Sequence, residues 1–296
     1  MGCYRNSKTV VTWRIAILLV TWVFFATVSQ SDCSAANIVE MKYEIKIEGT
    51  IVNGDYQKFE SILLSRKAAS NPVRRVLLAS NGGDVTTALQ IGRLIRLNWI
   101  VTSTIGHNYA NKRFCDTDDG DFIPMVGGRN CTCDSACFLL WAAGIERFSS
   151  GTIVGVHRPY FGSATASALS EPDASAVFQK VTSDVRDYLR EMNVPDGYFD
   201  IMMSKNSVQI YRLSEEEVDS LKYSPLAEEA IIKTCGIILD KDPAWHDAAI
   251  AMVIRQSVHE KSQTPNLDKL LDARVQELMH CEINVVQTAQ DRLQSR

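Results

Sequence analysis

The run Arg75-Val76-Leu77-Leu78-Ala79-Ser80-Asn81-Gly82-Gly83-Asp84-Val85 commits this chain to an α/β architecture. Arg75 to Ala79 is an apolar stretch of strand length, and Asn81-Gly82-Gly83 is a strong turn signal. Past the turn the period changes: Val85, Ala88, Leu89, Ile91 and Ile95 fall on one helical face. Strand, glycine turn and helix in direct succession form the unit of a largely parallel sheet covered by helices.

The flanking segments read the same way. Tyr43, Ile45 and Ile47 alternate with Lys42, Glu44, Lys46 and Glu48, the pattern of a half-buried strand with one wet face. Residues 55–69 have helical spacing, with Asp55 as the expected cap. A strand is expected over 99–105. Residues 106–129 are polar and rich in Gly and Asp, and read as a long loop. Residues 136–143 are apolar on all sides, so that helix should be buried. A buried strand over 152–156 leads to His157, and 162–173 reads as a loop. Helices are expected over 174–192 and 197–204, and Ser214-Glu215-Glu216-Glu217 fits a capping box. Beyond Cys235 two apolar stripes, one through Trp245 and Met252 and one through Leu267, Leu271, Val275 and Leu278, predict a helical extension. The expected division is a targeting segment over 1–35, an α/β domain over 36–235 and the helical extension over 236–296.

At 296 residues the chain can bury a sizeable core, and 46% hydrophobic with 22% charged is ordinary for a globular protein. The net charge of -4 argues against nucleic acid as a partner, because phosphate binding needs clustered Lys and Arg. Arg5, Lys8 and Arg14 precede an apolar run over 15–28, and Ser34, Ala35 and Ala36 follow. Those are the parts of a signal peptide, and the run is short for a span of about 20 residues. Export to the periplasm is expected. The alternative is an uncleaved inner-membrane anchor, touching the membrane only through 15–28 and holding the soluble domain outside the cytoplasm.

Removing that segment leaves Cys115, Cys131, Cys133, Cys137, Cys235 and Cys281. An even number in an exported chain reads as disulfides. Cys235 is expected to pair with Cys281, and the other four among themselves. A metal held by Cys115, Cys131, Cys133 and Cys137 is the weaker reading, because the C-x-C-x3-C spacing is unlike common zinc motifs. A thiol nucleophile at Cys133 or Cys137 is a further alternative. No metal or cofactor is expected.

The chemistry centres on Asn130-Cys131-Thr132-Cys133-Asp134-Ser135-Ala136-Cys137-Phe138. Ser135 stands where the buried helix should start. A nucleophilic serine needs a base for its proton and donors for the developing oxyanion. His157, at the end of a buried strand, stands where a base would, and the Gly82-Gly83 turn offers backbone N–H groups. Each taken alone has a blander reading: a helix N-cap, a turn, a structural histidine. His246, His259 and His280 read as structural residues of the tail, and His107 falls in the long loop.

Taken together these segments resemble the Clp protease proteolytic subunit and its relatives in the ClpP/crotonase superfamily, over roughly residues 43–232. Ser80-Asn81-Gly82-Gly83 is similar to the family's Ser-Pro-Gly-Gly turn. Ser135-Ala136 before an apolar helix matches its nucleophile motif. Glu146-Arg147-Phe148 and Ile153-Val154-Gly155-Val156-His157-Arg158-Pro159 match the strand pair that delivers its histidine. Leu213-Ser214-Glu215-Glu216-Glu217 resembles the helix start after its catalytic aspartate. The resemblance implies stacked ββα units with a largely parallel sheet, Ser135 as nucleophile, His157 as general base and the amides of Gly83 and Ala136 as oxyanion hole. It also implies a peptide or protein substrate and a homo-oligomer.

One member of the pattern is missing. The family's aspartate should fall at 206–210, where this chain has Asn206, Ser207, Val208, Gln209 and Ile210. Asp200 is the nearest acid upstream. Either Asp200 substitutes, or Ser207, Asn206 or Gln209 orients His157, or the site is slow or inactive. The expected function is an exported serine hydrolase, a peptidase with Arg158, Tyr160 and Phe161 along its substrate groove. The alternative is an inactive binding or scaffold protein of the same fold. An acyl-CoA enzyme of the crotonase type is disfavoured, because coenzyme A is not expected outside the cytoplasm.

Overall fold

The computed structural model describes residues 35–104, 125–126, 129–130, 132–149, 153–160, 170–206, 208–242 and 265–295. Residues 1–34 of the expected signal segment, Cys115, Cys131, Phe161, Ser207, His107, Trp245, His246, Met252 and His259 lie outside the described residues. The strands are β1 (Asn37–Glu40), β2 (Glu44–Glu48), β3 (Arg75–Ala79), β4 (Val101–Thr104), β5 (Met125–Val126), β6 (Arg129–Asn130), β7 (Cys133–Asp134), β8 (Arg147–Phe148), β9 (Val154–Val156) and β10 (Tyr211–Arg212). The α-helices among the described residues are α1 (Asp55–Ala68), α2 (Val85–Leu97), α3 (Ala136–Ala142), α4 (Glu171–Glu191), α5 (Asp196–Ser204), α6 (Glu215–Ser220), α7 (Pro225–Cys235) and α8 (Pro265–Gln294).

This is a mixed α/β protein with a mostly parallel sheet. The main sheet has the order β1-β2-β3-β4-β8, parallel throughout except for the antiparallel β1–β2 pair. β3 and α2 follow the expected boundaries. Asp84 caps α2 by accepting from the N–H of Thr87 at 2.7 Å, and Ala88, Ile91 and Ile95 are fully buried.

At the end of β3 the pairing changes sheets. The N–H of Ser80 donates to the carbonyl of Thr132 at 2.8 Å, and the N–H of Asp134 donates to the carbonyl of Ser80 at 2.9 Å. A second sheet, β10-β9-β7, starts there, with β7 parallel to β9 and β9 antiparallel to β10. The Gly82-Gly83 turn therefore lies where the two sheets meet.

Every residue of α3 is buried, as its unbroken apolar sequence requires. Seven residues are too few for a helix to hold in water, so α3 exists through the packing of Phe138, Leu140 and Trp141. Arg147 is buried just after it. Its guanidinium donates to the carbonyls of Gly144, Leu221 and Met192 at 3.1, 2.8 and 2.6 Å. Burial pulls that guanidinium down to about 9.

The long C-terminal helix α8 packs along α7. The expected Cys235–Cys281 disulfide joins them, and Leu239, which follows α7, buries against Val275 and Leu278 of α8. Gln294 donates to the carbonyls of Val73 and Asn98 at 2.9 and 3.1 Å and accepts from the N–H of Val73 at 2.8 Å. Gln290 donates to the carbonyls of Arg74 and Trp99.

Four local expectations are corrected. Tyr43 is exposed, because β2 begins at Glu44 and only Ile45 and Ile47 face the core. Asp55 does not cap α1. It is the first helical residue and reaches back to accept from the N–H of Val52 at 2.8 Å, while Gly54 holds the cap position. The strand expected over 99–105 starts at Val101. Trp99 has φ 54°, which completes the turn out of α2 and cannot belong to a strand. Helix α4 reaches back to Glu171, into the loop expected over 162–173, because Ser170 caps it and Pro172 suits its first turn.

Candidate functional site

Ser135 sits between β7 and α3 with φ 59° and ψ -120°. A serine in that region is strained, at a cost of about 1–3 kcal/mol, and persists only where the surroundings impose it. Its N–H donates to the carbonyl of Gly155 at 2.9 Å, and its carbonyl accepts from the N–H of Phe138 at 3.0 Å. The side chain makes no capping bond, so the blander reading of Ser135 as an N-cap is not what is found. Among the described residues its hydroxyl has no hydrogen-bond partner, and the residue is half-buried.

Two glycines shape the turn beside it. Gly82 has φ 94°, and a Cβ there would lie 2.7 Å from the Ser135 Cβ and 2.8 Å from the Ala136 nitrogen. Gly83 has φ 141°, and a Cβ there would strike the backbone of Ile51. The N–H of Ile51 donates to the carbonyl of Gly82, and the N–H of Asp84 donates to the carbonyl of Ile51. Alternation along an extended chain then turns the N–H of Gly83 away from Ile51. Among the described residues the N–H groups of Gly83 and Ala136 have no acceptor.

His157 follows β9 and is buried. In the β7–β9 register Asp134 lies opposite Gly155, so Ser135 is level with Val156 and His157 comes one residue later. Its Nδ1 lies 2.9 Å from the carbonyl oxygen of Arg158. A carbonyl only accepts, so the neutral tautomer that fits this contact carries its hydrogen on Nδ1 and its lone pair on Nε2. Among the described residues no hydrogen bond joins His157 to Ser135. Arg158 and Tyr160 are exposed, and the Tyr160 ring lies 5.7 Å from the imidazole.

Of the residues expected to supply the third partner, the described ones, Asn206, Gln209 and Asp200, are engaged elsewhere. Asn206 Oδ1 accepts from the N–H groups of Val208 and Gln209 at 3.0 Å each. Gln209 Oε1 accepts from the N–H of Asn206 at 3.4 Å. Asp200 is exposed and pairs with Arg186 at 3.6 Å. The segment nonetheless runs beside the histidine. The N–H of Arg158 donates to the carbonyl of Lys205 at 3.2 Å, and Tyr211 of β10 lies opposite Val156.

One arrangement was not anticipated. Asp134, directly before Ser135, is a buried carboxylate held by two guanidinium nitrogens of Arg212 and by the Thr132 hydroxyl at 2.8 Å. Gly155 makes room for it: a Cβ there would lie 2.8 Å from Arg212 Nη1 and 2.5 Å from Ile210 Cγ2. No sequence spacing links residues so far apart, and the Val-Gly-Val of β9 was the only local trace.

Cys133 and Cys137, one on each side of Ser135, form a disulfide with a Cα–Cα distance of 5.0 Å. Neither is then a free thiol, which removes both the thiol-nucleophile reading and a metal held by these two sulfurs. His280 is exposed on α8, and among the described residues no cluster of His, Cys, Asp and Glu could hold a metal.

No protein-family model matches the chain, and no curated protein matches it. Among solved structures it is similar to ClpP1 from Listeria monocytogenes, at 13% identity and a TM-score of 0.40, and to a point mutant of that protein, at 15% and 0.41. Each match covers 61% of this chain and 88% of the other.

Proposed function

We propose that this protein is a ClpP-like serine hydrolase, a peptidase working outside the cytoplasm without a cofactor, on a ClpP/crotonase-like frame of stacked ββα units. The observation that carries the reading is Ser135. It is held at a strained backbone conformation between strand and helix, with its hydroxyl not engaged in capping.

In this reading Ser135 Oγ attacks the carbonyl carbon of a peptide, and its proton passes to His157 Nε2. The resulting oxyanion is held by the N–H groups of Gly83 and Ala136. As the intermediate collapses the C–N bond breaks, His157 returns the proton to the leaving amine, and water then releases the acyl group by the same route. The carbonyl of Arg158 keeps Nδ1 protonated, the orienting task usually given to a carboxylate. It brings a dipole where a carboxylate brings a full charge, so the imidazolium is less stabilised. Loss of the triad acid costs about 10⁴ in rate in a well-studied serine protease, so turnover is expected to be slow. Arg158, Tyr160 and Phe161 border the substrate groove in this proposal.

The two disulfides support an oxidising compartment, the periplasm or the outer face of the inner membrane. No described helix is long and apolar enough to cross a membrane. Self-association into a homo-oligomer belongs to the same reading, and light scattering on the purified protein reads it.

The second reading, an inactive binding or scaffold protein, is favoured by one observation: Asn206, Gln209 and Asp200 all bond away from His157. A fluorophosphonate probe separates the two. The hydrolase reading expects covalent labelling of the mature protein that disappears in Ser135→Ala and falls steeply in His157→Ala. Absence of Ser135-dependent labelling in folded protein leaves the scaffold.

A further inference from the structure

We propose that the Cys133–Cys137 disulfide is a positioning brace that holds Ser135 in its reactive backbone conformation, and that a dithiol reductant switches the site off by opening it. The inference rests on the hydrolase reading above.

The crosslink encloses only Asp134, Ser135 and Ala136. Cys133 is fixed in β7, where its N–H donates to the carbonyl of Ile153 at 3.0 Å. Cys137 is fixed in the first turn of the buried α3. Both are fully buried. Between these anchors the only residue at positive φ is Ser135. A serine free to choose leaves that region. Escape needs rotation about the Ser135 N–Cα bond, which carries the Ser135 carbonyl and the Ala136 N–H to a new position relative to the Gly82-Gly83 turn. The short covalent ring opposes that rotation. The other restraints are not covalent: the Ser135 N–H bonds to Gly155, its carbonyl accepts from the N–H of Phe138, and Gly82 packs against it.

Opening balances as ordinary thiol–disulfide exchange. A dithiol thiolate attacks one sulfur, the S–S bond breaks, and the second thiol of the reagent displaces the first bond. Cys133 and Cys137 leave as thiols and the reagent as a cyclic disulfide. With both sulfurs buried, exchange waits on local opening.

The test compares the Cys133→Ala/Cys137→Ala and Cys235→Ala/Cys281→Ala proteins with the wild type, by fluorophosphonate labelling kinetics at a temperature where circular dichroism shows all three folded. The brace predicts that kinact falls by about 10²-fold in the first variant with KI unchanged, the scale of an atom misplaced by about 1 Å. The second variant should lose thermal stability but keep kinact. If the first variant does not fold, wild-type protein is treated with dithiothreitol, and alkylation with mass spectrometry identifies the reduced pair. Reduction of Cys133–Cys137 should then slow labelling by about the same 10²-fold, and reoxidation should restore it. An unchanged kinact with this disulfide absent overturns the brace. Oxidised wild type that never labels at Ser135 overturns the hydrolase reading itself.

Discussion

Gly82 and Ser135, far apart in sequence, are in backbone contact: a methyl group on Gly82 would lie 2.7 Å from the Ser135 Cβ and 2.7 Å from the carbonyl oxygen of Asp134. The neighbours that would have to move are mainly backbone, fixed by β7 and α3, so there is nowhere for the added atom to go. Gly82→Ala therefore displaces the Ser135 turn and also pays for a left-handed alanine at φ 94°. Destabilisation of about 1–3 kcal/mol is expected. Urea unfolding reads the stability, and probe labelling of the folded variant should fall further than stability alone explains.

Asp134 and Arg212 form the second relationship around the turn. The carboxylate is nearly inaccessible, at 6% side-chain exposure, while the guanidinium keeps 28%. Removing the cation strands the buried anion, which costs about 3–5 kcal/mol for a fully buried pair and less here because Arg212 is partly wet. Arg212→Ala should thus be more destabilising than the double variant Arg212→Leu/Asp134→Leu, which leaves no unpaired charge. Equal losses in denaturant titrations of the two proteins would show that the pair is not coupled.

A pH effect follows from the junction between the α/β core and α8. Glu146 bridges to Tyr223 and lies near Glu282. Burial first, then the charge of Glu282 and more weakly that of Asp240, raise its carboxyl from 4.5 to about 7 against the pull of Lys222 and Arg75. Glu282 is raised as well, chiefly by burial, although the N–H of Leu239 donates to it. The folded state prefers the protonated form of Glu146, so it binds that proton more tightly than the unfolded chain does. The resulting stability is fully present below about pH 4.5 and is lost as pH rises through about 7, an effect on the order of 3 kcal/mol. Thermal unfolding at about pH 5 and about pH 7.5 should show this decline, and Glu146→Gln should flatten it.

The Cys235–Cys281 disulfide closes a loop with a sequence separation of 46. In the chain-entropy model that constraint is worth about 4 kcal/mol. The Cys235→Ala/Cys281→Ala protein should unfold at a lower temperature. Loss of the α8 contacts should appear first, as faster amide exchange near Val73 and Asn98, whose backbone groups Gln294 satisfies.

Much of this fold was legible locally. The β3–turn–α2 unit came from the change of hydrophobic period at Gly82-Gly83, the burial of α3 from its unbroken apolar sequence, and the start of α6 from a capping box that is formed in full. The pairing of Cys235 with Cys281 was also anticipated. Boundaries failed where backbone geometry overrode composition, as at Trp99 and Asp55.

Sequence by itself determined the alternating strands and helices, the buried α3, the capped helix starts and the order in which Gly83, Ser135 and His157 occur. Those features depend on neighbours within a turn or two, where periodicity and capping chemistry act. Only the tertiary structure decided the backbone angle of Ser135, its contact with Gly82, the Arg158 carbonyl beneath His157 and the Asp134–Arg212 pair, whose residues are 78 apart. Each of these depends on how β3, β7, β9 and β10 meet at the seam of two sheets. Strand register places atoms within a few ångströms of one another there, and no local pattern in the chain encodes that register.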